Sequence, residues 1–501
     1  MKNSNIAKLI SNYGSRLWAL VSVFIFVPFY IKILGIENYA IIGFYTLLLG
    51  IISFADSGMS SAIIKEFSQD NSPSYKYSIF RNIENLYLLI CVVIMSIIAL
   101  GSGLIAEKWL NSNTIEIQTL SYYISLIGIG ATLQLLSSLY YGALFGLGEQ
   151  VKSNFYQIIW NVFRAGIVIL VLIFYKPTLE VYFIWQIICN LIYIIILRIQ
   201  SLSILKSQDS NLHKYFKKIP KNILKYVGGM TFIAIISAIN IQADKIITSS
   251  IFPLKTFGYY NLASILSQVP VILGTPLTMF AFPLFSKFSL SNQKDLNITF
   301  DKITYLLSII IFPVSFLLIF FPVEILKLWA GKSIESNMFS TLASVIRLLI
   351  SGSLFLALQL PLFYLLLSKE KTKYTIYQGV IQVLLGIPLL YFCAKYYGLK
   401  AVPFPWILIN FGSLVFLLFI VFKNFIDIKF SHYFIRTLII PLFISFGVSF
   451  LFYLLHKING GNIILYLVCT GILSVLINIL FNNIINKRSF KEFKHLYNFP
   501  K

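Results

Sequence analysis

Residues Asn154–Arg198 read NFYQIIWNVFRAGIVILVLIFYKPTLEVYFIWQIICNLIYIIILR. Two apolar blocks, 155–174 and 179–198, flank a short joint at Lys176-Pro177-Thr178. A block of about 20 residues at 1.5 Å per residue crosses a hydrocarbon core of roughly 30 Å. Neither block alternates polar with apolar residues, which excludes the strands of a membrane barrel. Helices satisfy their own backbone groups in lipid, so these are transmembrane helices.

Working outward, the same pattern fills the chain. Fourteen spans are expected, at 9–31, 39–61, 83–105, 117–141, 155–174, 179–198, 226–249, 256–284, 303–323, 338–366, 375–394, 401–422, 434–455 and 463–484. Of the 501 residues, 58% are hydrophobic and only 12% charged, about half the share in a soluble domain. No polar stretch exceeds about 30 residues, too few for a soluble core. The first apolar run, Leu17–Ile31, is too long for a signal-peptide core and lacks a small-residue cleavage site, so a retained helix is expected.

The net charge of +22 is an orientation signal. With residue 1 in the cytoplasm, 27 Lys and Arg fall on inner segments, counting Arg198 and Arg436 at the inner ends of their spans, and 9 on outer loops, while Arg16, Arg164, Lys245 and Arg347 fall deeper within spans. This threefold bias puts both termini inside and faces anionic lipid rather than nucleic acid. The four cysteines are isolated in apolar blocks and the four histidines share no ligand spacing, so neither a metal nor a cofactor is expected.

The longest inner loop, 199–225, divides six spans from eight. The expected domains are a six-helix lobe over 1–198, a cytoplasmic linker over 199–225, a second six-helix lobe over 226–422, two further helices over 423–484 and a basic tail over 485–501. Six is even, so the lobes would be parallel repeats. Span 256–284 carries Pro270, Gly274, Pro276 and Pro283, which predict a break or kink.

Charges at membrane depth cost about 2.5–3.5 kcal/mol each and need a reason. Gln157, Asn161 and Arg164 form a polar stripe along one helix. Arg16 follows Asn12 and Ser15 in the first span, and Arg347 lies in the tenth, three turns before Gln359. Lys245 stands beside Asp244, and each is expected to pair across helices or, for the lysine, to reach outward. Asp56 and Glu84 sit near the inner interface as candidate ion sites, with Asp244 a third. The interior charges are mainly cationic, which suits an anionic cargo, and Arg matches phosphate geometry well.

Specific residues carry a resemblance. Leu34-Gly35-Ile36-Glu37-Asn38-Tyr39 is followed by Asp56-Ser57-Gly58 and Lys65. Tyr141-Gly142-Ala143-Leu144-Phe145-Gly146-Leu147-Gly148 precedes Asn154 and Arg164. Asp244-Lys245-Ile246-Ile247 precedes Phe257-Gly258-Tyr259-Tyr260, and Pro322-Val323-Glu324-Ile325-Leu326-Lys327-Leu328-Trp329-Ala330-Gly331 follows. In order and spacing these resemble the O-antigen and polysaccharide flippases, of the superfamily that includes lipid II flippases and multidrug/cation antiporters. The resemblance implies an all-α fold with two six-helix lobes around a central cavity. It implies a bacterial inner-membrane flippase for an undecaprenyl-pyrophosphate-linked oligosaccharide, working by alternating access. Its pyrophosphate would sit among Arg16, Arg164, Arg347 and Lys245, with polymerase and chain-length proteins as further partners. The alternatives are a lipid II-type flippase or a drug or cation antiporter. A glycan polymerase or glycosyltransferase fits poorly, because the outer loops are short.

The orientation is testable by single-cysteine labelling in spheroplasts. A cysteine at Ser336 is expected to react with an impermeant maleimide, and one at Ser207 only after permeabilisation. The opposite pattern overturns the topology.

Overall fold

Long apolar runs with few breakers fold as helices, and glycine or proline sets where they stop. The computed structural model describes residues 2–56, 59–68, 72–110, 112, 114–208, 239–371 and 373–485. Among these, thirteen helices are long and apolar enough to cross a membrane. The span expected at 226–249 is described only from residue 239, as part of a helix over 239–251. Its first half, most of the linker 199–225 and nearly all of the basic tail lie outside the described residues.

The chain divides into two compact units, Met1–Asn261 and Leu262–Lys501. The first holds α1 (Lys2–Leu34), α2 (Ile36–Asp56), the short α3 (Met59–Ser68), α4 (Pro73–Leu104), α5 (Ile117–Gly146), α6 (Gln150–Asn161), α7 (Val168–Phe174), α8 (Leu179–Gln208) and α9 (239–251). Gly35, with φ +83°, supplies the one-residue joint between α1 and α2, a conformation that glycine adopts without strain. Ser72 caps α4 by accepting from the Tyr75 amide at 3.3 Å, and Pro73 follows at its first position. Helix α5 packs against α2, α3, α4 and α8 and so forms the centre of this unit. Tyr45, Tyr87, Tyr140, Phe80 and Phe183 are fully buried around it. By contrast, Leu89, Ile97 and Leu100 on α4 are exposed, as residues facing lipid tails are.

Helix α10 (Leu254–Ser267) begins in the first unit, where Gly258 sits directly on the Ile36 carbonyl. It stops at Gln268, and α11 (Val269–Ser291) restarts with Pro270 in its first turn. This is the break that the prolines predict; Pro276 and Pro283 lie inside α11. The second unit continues with α12 (Gln293–Phe320), α13 (Pro322–Ala330), α14 (Met338–Ser368), α15 (Lys373–Tyr397), α16 (Phe404–Asn424), the single turn α17 (Phe430–Tyr433), α18 (Ile440–Asn459) and α19 (Ile463–Ile485). Helix α14 packs on α11, α12 and α16, while α12 also carries α18 and α19. Their shared core includes Phe285, Phe300, Leu307, Leu358 and Leu417.

Close approach of α10 to α2 rests on Gly258. A Cβ there would stand 2.7 Å from the Ile36 backbone oxygen, which cannot rotate away. Gly258→Ala is expected to cost about 1–3 kcal/mol and to lower the melting temperature in detergent. Gly101→Ala, inside α4 where a Cβ meets nothing within 4 Å, is expected to leave the melting temperature unchanged or raise it, since alanine is the better helix former. Equal behaviour of the two variants contradicts this packing.

Candidate functional site

Arg164 is positioned by an irregularity in the backbone. Helix α6 ends at Asn161, and residues Val162–Ile167 form a π turn before α7. Such a widened turn inserts an extra residue and often marks function. Three successive carbonyls in it accept side-chain donors. The Trp185 indole donates to the Phe163 oxygen at 2.9 Å, the Gln186 amide to the Arg164 oxygen at 3.0 Å, and the Tyr30 hydroxyl to the Ala165 oxygen at 2.5 Å. The turn is therefore held from α8 and α1, and in lipid such replacement partners are required.

From this turn the Arg164 side chain reaches α5, where its Nη1 donates to Gln134 Oε1 at 2.9 Å. Its guanidinium lies 4.5 Å from the centre of the Trp160 ring, a favourable cation–π contact. Trp160 is itself fixed, stacked on Tyr193 and donating to Asn190 Oδ1 at 3.0 Å. No carboxylate pairs with Arg164 among the described residues, and its buried Nε has no hydrogen-bond partner. The site is a half-buried cation with spare donor capacity and neutral surroundings, suited to an anion with several acceptor oxygens.

The sequence places Gln157, Asn161 and Arg164 on one stripe; the π turn separates them. Asn161 faces α1 and donates to Ser22 Oγ at 3.3 Å, while Arg164 faces α5. Gln157 is half-buried and makes no hydrogen bond among the described residues. Below Asn161, Asn154 ties α6 to α1 and α5. It accepts from Ser15 and Tyr141 at 3.1 and 2.8 Å, and donates to Ser11 at 3.1 Å and to Asn12.

The other candidates are dispersed. Arg16 lies in α1, with its side chain outside the described residues. Asp244 and Lys245 were each expected to pair across helices, or Lys245 to reach outward. Instead Lys245 Nζ lies 3.5 Å from Asp244 Oδ1, because the flexible four-carbon arm folds back along the helix. Asp244 also accepts across to α10, from the Tyr260 hydroxyl at 2.8 Å. Glu84 is buried and accepts from Arg81, from Arg198 Nε at 2.7 Å and from the Tyr140 hydroxyl at 2.7 Å. Asp56 accepts from Tyr87 and from Ser60 at 3.0 Å, with no cationic partner among the described residues. In the second unit Arg347 is exposed, with its Nε donating to the Ile319 carbonyl at 3.0 Å and no carboxylate paired to it among the described residues.

Sequence reasoning missed Gln134, Trp160 and the three donors to the π turn. Gln134 was visible as an amide inside an apolar span; nothing local pointed to the others. It also counted Arg436 among the inner charges, at the start of span 434–455. The structure puts Arg436 in another π turn, Phe434–Ile439, 3.5 Å from Asp301 on α12. The π turns Val162–Ile167 and Phe434–Ile439 thus each carry an arginine at the third residue, one paired with a carboxylate and one not, whereas the π turn Ile105–Trp109 carries Glu107 there.

A family model described as polysaccharide biosynthesis protein matches residues 7–289. Among curated proteins, none matches the sequence. Among solved structures, a lipid II flippase, MurJ, in an inward closed conformation matches with a TM-score of 0.75 at 19% identity, over 96% of this chain and 100% of that one. An inward-facing multidrug resistance MATE transporter of the MOP superfamily matches at 0.58 and 14% identity, over 89% and 96%. A MATE transporter from Vibrio cholerae matches at 0.53 and 13%, over 83% and 97%. At such identities the likeness is one of fold, a multi-span transporter architecture.

The clasp on the π turn makes a prediction. Trp185→Phe and Gln186→Leu each strand a carbonyl, at an expected cost of about 1–3 kcal/mol, visible as a lowered melting temperature in detergent. Unchanged melting for both shows that the turn holds without its donors.

Proposed function

The chain belongs to the polysaccharide biosynthesis protein family, and on that premise we propose that it is a flippase for a lipid-linked glycan. The cargo is an undecaprenyl-pyrophosphate-linked oligosaccharide repeat unit of O-antigen or capsule type. It passes from the cytoplasmic to the outer leaflet of a bacterial inner membrane by alternating access between two six-helix lobes. The observation that carries this reading is Arg164, a cation at membrane depth with an unpartnered buried Nε and no carboxylate to neutralise it among the described residues. A planar guanidinium held over an indole favours phosphate oxygens, which take two parallel donors. Arg16, Arg347 and Lys245 are further candidates for the same anion at other stages of the cycle. Asn161 and Gln157 would meet the glycan. Lys245 is the weakest of the cations, since Asp244 already neutralises part of its charge.

The likeness to a lipid II flippase supports a second reading, a lipid II-type cargo. An organic-cation antiporter fits less well, because the one unpaired charge seated on the π turn is positive and would repel such a substrate. For ion coupling, Asp56 is the first carboxylate to test, since Glu84 and Asp244 already have cationic partners. A transport role also accounts for the short outer loops, which leave little room for a catalytic domain.

Arg164→Ala is expected to reduce export of the surface polymer at least tenfold while protein remains in the membrane. Arg164→Lys should restore part of it, because the charge returns without the bidentate fork. Full export by the alanine variant would remove Arg164 from the mechanism. Accumulation of a peptidoglycan precursor, rather than a polymer repeat unit, in a depleted strain would favour the second reading.

A further inference from the structure

A groove of about 570 Å³ runs along the second unit between α16 and the segment from α17 into the π turn Phe434–Ile439. Phe411, Val415 and Phe419 line it from α16, and Phe430 and Phe434 line it from the other side. The α16 residues recur every four positions, so they form one stripe down one helix face. Each of the five is more than a third exposed, so the groove opens sideways. Its wall is apolar throughout except at one end, where Lys423 closes it. Lys423 is exposed, its Nζ lies 5.3 Å from the Phe419 ring centre, and no carboxylate pairs with it among the described residues. Lys429, in the loop that joins the two walls, is likewise exposed and unpaired, with Asp427 the only acidic residue in that loop.

We propose that this groove is a binding site for an anionic phospholipid of the inner leaflet, with an acyl chain between α16 and the π turn and the headgroup phosphate at Lys423. Length sets the leaflet and the kind of tail. Phe411 to Lys423 is 12 residues, about 18 Å of helix, against roughly 15 Å for one leaflet's hydrocarbon. That fits one acyl chain in one leaflet. A carrier lipid of many isoprene units would overrun it. Charge sets the headgroup: an exposed lysine at the polar end favours a phosphate without a compensating choline, and the basic bias of the inner loops places that end at the inner surface. Aromatic rings of Phe422 and Phe430, with centroids 5.2 Å apart, and of Phe430 and Phe434, at 5.5 Å, hold the far wall in place near the mouth.

The test uses the full chain in nanodiscs containing phosphatidylglycerol or phosphatidylcholine, each with a diazirine on one acyl chain, and maps crosslinks by mass spectrometry. The phosphatidylglycerol probe is expected to label 411–438 about fivefold more than the phosphatidylcholine probe, an excess absent on α4. Lys423→Gln should remove that excess, and Val415→Trp, which fills the groove, should reduce labelling by both probes. Equal labelling by the two headgroups in the unaltered protein overturns the proposal, since the groove is then ordinary lipid annulus. Displacement of the label by undecaprenyl phosphate but not by unlabelled phosphatidylglycerol also overturns it, assigning the groove to the carrier lipid.

Discussion

A guanidinium at membrane depth costs a few kcal/mol unless something answers its charge. Arg164 is answered by neutral groups, among them an amide oxygen on α5 and the face of Trp160. Keeping it there takes a π turn, three side-chain donors from α1 and α8, and an indole pinned by Asn190 and Tyr193. Removing water from around such a group makes any anion that reaches it bind more strongly. The helices about α5 are arranged so that this one cation is available rather than satisfied.

The contrast with Arg436 sharpens the point. Both arginines occupy the third residue of a π turn. Arg436 lies 3.5 Å from Asp301 on α12, which binds the α18–α19 pair to its unit. Glu84 shows the same economy on the acidic side, holding α4, α5 and α8 together through two arginines and a tyrosine. At Arg436 and Glu84 the opposite charge stands beside the charged group. Arg164 has no such counterpart among the described residues, so cohesion does not explain it.

The fold was legible because the bilayer enforces it: apolar length gave every described span, and the Pro270 region gave the break between α10 and α11. Arg164 was legible as a lone charge in an apolar block. The π turn was not, because an extra residue in a helix turn leaves no mark in the sequence pattern, and it moved Arg164 off the stripe shared with Asn161 and Gln157. The contact of Lys245 back to Asp244 was missed because face geometry alone ignores the reach of a lysine arm. Gln134 and Trp160 come from sequence-distant or differently periodic positions, and only packing brings them to the guanidinium.

The central claim is that Arg164 recognises the phosphate of a lipid-linked glycan during translocation. The most direct measurement is flipping of a fluorescent undecaprenyl-pyrophosphate oligosaccharide by the purified protein in proteoliposomes, read by quenching from the outside. The account predicts protein-dependent flipping that inorganic pyrophosphate does not support alone and that a glycan on a neutral polyprenol does not undergo. Equal flipping of the neutral and pyrophosphate-linked lipids, or none of either by correctly inserted protein, would contradict it.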